Sequence, residues 1–104
     1  MKPRSMWGAH GPISVRVATL PFVDESNESL YGLYDADART ITIHPEITGY
    51  LRAETLEHEW VHSVLADCGC DQIITRDQNE WVAMVLGKAL ASRLHYSKRN
   101  THTP

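Results

Sequence analysis

Residues 39–65 read Arg39-Thr-Ile-Thr-Ile-His44-Pro45-Glu-Ile-Thr-Gly-Tyr50-Leu-Arg-Ala-Glu-Thr-Leu-Glu-His58-Glu59-Trp-Val-His62-Ser-Val-Leu65, and the hydrophobic period changes inside this stretch. From Arg39 to His44 the alternation is strict. Ile41 and Ile43 fall on one side and Thr40, Thr42 and His44 on the other, the period-two signature of a half-buried strand. Pro45 closes it. From about Tyr50, Leu51, Leu56, Trp60, Val61, Val64 and Leu65 recur at helical spacing. The helix is expected to stop at Cys68-Gly69, where glycine supplies a left-handed C-terminal residue.

Working outward, Leu30–Tyr34 precedes the strand across Asp35-Ala-Asp-Ala38, a hairpin with turn-forming aspartates. Ile13–Leu20 alternates with β-branched residues and ends at Pro21, which predicts another strand. Residues 24–29 are a polar loop, and residues 1–12, with two prolines and two glycines, read as a loosely held arm. Downstream, Thr75-Arg-Asp-Gln78 has the form of a capping box. It predicts a second helix through Trp81, Val82, Val85, Leu86, Ala89, Leu90 and Leu94 to about Tyr96, with 98–104 a flexible tail. The expected fold is α+β: a small antiparallel β-sheet followed by two packed helices, in one domain over residues 13–97.

The whole chain is 104 residues, with 42% hydrophobic and 22% charged residues, a globular balance that argues against disorder. A formal charge of −3 removes the electrostatic footprint of a nucleic-acid binder. No apolar run approaches the ~20 residues of a membrane span, and no signal peptide is evident, so a cytoplasmic setting is expected. Cys68 and Cys70 flank a single glycine, offer no disulfide framework, and read as ordinary thiols.

Six histidines are the one compositional excess. His58-Glu59-Trp60-Val61-His62 fits H-E-x-x-H. Residues four apart on a helix differ by about 40° around the axis, so the two imidazoles project side by side and suit one zinc ion. Glu59 falls beside them, where a carboxylate can take a proton from a bound water. A catalytic zinc usually takes three protein ligands. The metzincin continuation is absent, since Leu65 and Cys68 stand at its glycine and histidine positions. Glu80, 18 residues beyond His62 and on the second helix, is the better third ligand, with Asp77, Asp71 and Cys68 as weaker alternatives. Ala83, Gly87 and Ala91 lie near its face and permit a close helix–helix approach.

Tyr34–Leu94 resembles the zincin-like metallopeptidases of the gluzincin type, in particular the compact ImmA/IrrE-like and phage-encoded minimal metallopeptidases. The residues that carry the resemblance are Thr40-Ile-Thr-Ile-His-Pro45, Glu54-Thr-Leu-Glu-His-Glu-Trp-Val-His62 and Glu80-Trp-Val-Ala83. The chain departs from larger members at Met84, Leu86 and Gly87, where asparagine, phenylalanine and alanine are often found. The resemblance implies zinc held by His58, His62 and Glu80, Glu59 as catalytic base, and hydrolysis of a peptide or protein substrate. It also admits a non-catalytic zincin-fold binding protein with a structural zinc, or a phage regulator specific for one repressor. Tyr96, His95, Tyr50 and His44 are candidates for stabilising an oxyanion, and nothing in the sequence selects among them. The strand Arg39–His44 is expected to be a sheet edge to which a peptide adds. His10, His44, His95 and His102 are expected to be structural or solvated.

Overall fold

The computed structural model describes residues 4–19 and 31–100, with side chains described for 5–19 and 31–94. Two β-branched runs, β2 (Gly11–Val17) and β4 (Thr40–Ile43), form the centre of a four-stranded sheet. Their alternation sends Ile13, Val15, Ile41 and Ile43 to one face, where each is buried. β1 (Arg4–Gly8) pairs antiparallel with β2, and β3 (Gly32–Asp35) pairs antiparallel with β4, giving the order β1-β2-β4-β3.

Strands followed by two helices, the α+β order, is the observed arrangement. Three features differ from the sequence expectation. The sheet is mixed, because β2 and β4 run parallel, Val15 opposite Ile41 and Val17 opposite Ile43. This pairing sets the two isoleucine-bearing strands side by side in the middle, and leaves β3, with its glycine and exposed Leu33, at the edge. The expected arm over 1–12 also supplies β1 and the start of β2. Leu20, Leu30, the 24–29 loop and residues 101–104 lie outside the described residues, and the backbone stays helical to Asn100, past the expected end near Tyr96.

α1 (Gly49–Asp67) crosses the sheet, with Leu56 and Trp60 packed on the cluster of Ile13, Val15, Ile41, Ile43 and Ile47. α2 (Arg76–Asn100) covers its other side. As a middle layer, α1 is not a simple amphipathic helix with one apolar arc. Its most buried positions, Thr55, Glu57, Glu59, Val61 and Ser63, lie around much of its circumference. Burial pushes the Glu57 carboxyl above its ordinary pKa, with the Arg93 charge opposing.

Both helix boundaries form as the sequence predicts. Gly69 adopts φ 75°, and its N–H and that of Cys68 bond back to Ala66 O and Val64 O. After a 3-10 turn (Cys70–Gln72), Gln78 N–H donates to Thr75 Oγ1 at 3.1 Å and Thr75 N–H to Gln78 Oε1 at 2.8 Å. Ala83, Gly87 and Ala91 then face α1. The short connection makes the helices an antiparallel pair, so the start of α2 lies beside the end of α1.

Arg39 locks the far corner. Its guanidinium pairs with both carboxylate oxygens of Asp67 at 2.7 and 3.1 Å, and donates to Pro12 O and Gly11 O. One side chain thus joins the β3–β4 turn, the β1–β2 turn and the end of α1. The same guanidinium holds the Asp67 carboxyl below its usual pKa.

Candidate metal centre

α1 and α2 bring three donor side chains to one point. The Nε2 of His58 lies 2.8 Å from Glu80 Oε1, and the Nε2 of His62 lies 3.0 Å from Glu80 Oε2. The two rings stand edge to face with centroids 5.0 Å apart, as the four-residue spacing requires. One ligand atom from each residue falls within 4.8 Å of the others. Of the third-ligand alternatives, Asp71 lines the cleft without joining this group, and Asp77 and Cys68 are also outside it.

The donor set fits zinc. Two imidazole nitrogens and one carboxylate oxygen are donor types that zinc takes in catalytic sites. Protonation adds to the argument. The Nδ1 of His62 lies 2.7 Å from Asn79 Oδ1, a carbonyl oxygen that accepts the ring N–H. With the Nδ1 side turned to Asn79, Nε2 faces the Glu80 carboxylate across 3.0 Å. Burial lowers the pKa of His58, against the pull of Glu80, and so favours the neutral, ligating imidazole.

The meeting of the helices depends on Gly87. A Cβ there would stand 2.8 Å from His58 Cα and 2.9 Å from His58 N, so only glycine lets α2 come this close. Glu80 sits seven residues earlier, two turns along the same side, and reaches both histidines.

Glu59 lies under β3. It is 9% exposed, and the Tyr34 backbone N–H donates to it. Since His44 N–H bonds Tyr31 O, ladder alternation turns the backbone groups of Gly32 and Tyr34 outward, away from β4. Gly32 permits the contact, because a Cβ would stand 2.6 Å from Thr55 Cγ2 and 3.1 Å from Glu59 Cγ. The Glu59 carboxyl is pushed up to about 7, chiefly by burial; His62 opposes the rise and Glu80 adds to it.

His58, Glu59, His62 and Glu80 share the wall of one cleft of about 790 Å³, with β3 as its other wall. The expected sheet edge is corrected here. The strand Arg39–His44 lies between β2 and β3, and the edge beside the cleft is β3. Among the oxyanion candidates, His44 is buried and its Nδ1 accepts the Glu46 N–H, a structural role. Tyr50 is not in the cleft lining, and the side chains of His95 and Tyr96 lie outside the described residues, as does His102. The His10 backbone N–H donates to Asp67, which is not in the cleft lining.

Asn79, Tyr34 and Arg76 also line the cleft and were not anticipated. Only Asn79, next to Glu80 at the start of a capped helix, carried a local signal. No protein-family model, curated protein or solved structure matches the chain.

Proposed function

We propose that the chain is a zinc-dependent metallopeptidase of the gluzincin type. The observation that carries this reading is the convergence of His58, His62 and Glu80 on one cleft wall, with the buried Glu59 between the site and the edge strand. His58 and His62 would hold zinc through Nε2 and Glu80 through a carboxylate oxygen, with Asn79 fixing the His62 ring. Bound zinc supplies Lewis acidity, polarising a water and the substrate carbonyl. Glu59 takes the proton of the attacking water and passes it to the departing amine nitrogen. β3, with the Gly32 N–H and C=O and the Tyr34 C=O turned outward, supports an extended peptide along the cleft. The two free thiols agree with a cytoplasmic setting, and no described helix is long and apolar enough to cross a membrane.

The test is turnover of a peptide library by the zinc-loaded protein beside Glu59→Gln. A hydrolase loses cleavage in the variant while keeping its zinc. A binding protein with a structural zinc shows no cleavage in either form, and that result would overturn the catalytic reading.

A further inference from the structure

We infer that Arg76 makes one end of the cleft a carboxylate-binding subsite, selecting peptides with a C-terminal or side-chain carboxylate about two residues from the bond at the metal centre. What is cleaved rests on the metallopeptidase reading; what is bound does not.

Glu54, His58, His62 and Ala66 line the cleft in succession along α1. Twelve residues at ~1.5 Å rise make about 18 Å, enough for roughly five extended residues. Charge is distributed unevenly along this length. Glu54 marks one end and is loosely paired with Lys88 at 3.8 Å. The His58–His62–Glu80 group occupies the middle, and Arg76 the other end.

Arg76 lies four residues before Glu80, about 6 Å along α2 on the same side, and two extended residues span that distance. It lines both the main cleft and an adjoining recess of about 340 Å³ shared with His62, Asp71 and Thr75. The other formally charged residues of the main lining are Glu54, Glu59, Asp71 and Glu80, all acidic.

Among the described residues Arg76 makes no hydrogen bond and no ion pair, although Asp71 lines the same recess. Arg39 offers the contrast, its guanidinium consumed by Asp67 and two carbonyls. The Arg76 fork therefore keeps its donors for a planar acceptor, and a carboxylate matches it with two parallel bonds. Asp71 shares this end, so an anion is accepted here through the forked donors of Arg76 and not through net charge, and no such fork lines the Glu54 end.

The test measures binding to the zinc-loaded Glu59→Gln protein by isothermal titration calorimetry, which reads the Arg76 variants equally. The probes are N-acetylated Ala-Ala-Leu-Ala-Ala as free acid and as amide, and the amide with Glu or Gln at position four. We expect a carboxylate form to bind about fivefold tighter or better than its neutral counterpart. The free-acid and Glu pairs show which carboxylate is read. In Arg76→Ala the preference should disappear, and Arg76→Lys should keep part of it. Equal affinity for acid and neutral forms, a preference unchanged in Arg76→Ala, or no binding of any probe at millimolar concentration would overturn the inference. Absence of wild-type cleavage alongside an intact binding preference would overturn the hydrolase reading alone.

Discussion

Gly87 on α2 lies against the backbone of His58 on α1, with room for a hydrogen and none for a methyl group. Glu80, the third ligand we propose, is thus placed by a residue that has no part in the chemistry. Gly87→Ala gains about 1 kcal/mol of helix propensity and meets fixed backbone at 2.8–2.9 Å, an overpacking that costs about 1–3 kcal/mol. The expected outcome is a modest loss of stability with a larger loss of zinc affinity, about tenfold or more, because α2 moves away and takes Glu80 with it. Chelator competition and thermal melts of the same preparation check the two effects separately.

Asn79 fixes the His62 tautomer through Nδ1. Asn79→Ala should weaken zinc binding by about 10–100-fold with little change in the metal-free melting temperature. Asn79→Asp, which still accepts the ring N–H, should retain most of the affinity. Equal affinities across all three proteins would remove Asn79 from the site.

The Tyr34 hydroxyl is buried without a hydrogen-bond partner among the described residues, and burial raises its pKa. Deleting an unsatisfied hydroxyl removes a desolvation cost, so Tyr34→Phe should leave stability unchanged or raise it by up to about 1 kcal/mol. A marked loss in urea unfolding would show that the hydroxyl is engaged.

The Asp67–Arg39 pair predicts a pH-dependent contribution to stability. Arg39 depresses the Asp67 pKa in the folded chain, so the contribution is complete above the ordinary value of 3.8 and is lost as pH falls through the lower folded value. Asp67→Asn should therefore lower the urea midpoint at pH 7, and the gap should close in acid below pH 3.8. A gap that persists to pH 2 would show that the pair acts through shape and not through charge.

Local spacing explains what could be read from the sequence. His58 and His62 are neighbours by helical geometry alone, and the Thr75–Gln78 cap and the Gly69 stop are complete within four residues. Ala83, Gly87 and Ala91 announced a close helix crossing, and that crossing carries Glu80. The features that escaped depend on chain segments far apart in sequence. The parallel pairing of β2 with β4 makes β3 the edge strand, yet no residue of β4 differs from what an edge strand would carry. The buried polar positions of α1 follow from its place between sheet and helix. Arg76 is an ordinary surface arginine until the helix pair sets it on the cleft wall.

The zinc we propose on His58, His62 and Glu80 can be counted by metal stoichiometry. Native mass spectrometry with elemental analysis should find one zinc per chain in protein purified without chelator. The same result is expected for Glu59→Gln, and no zinc for a His58→Ala/His62→Ala variant. Wild-type protein without metal, or a double variant that keeps it, would contradict the account.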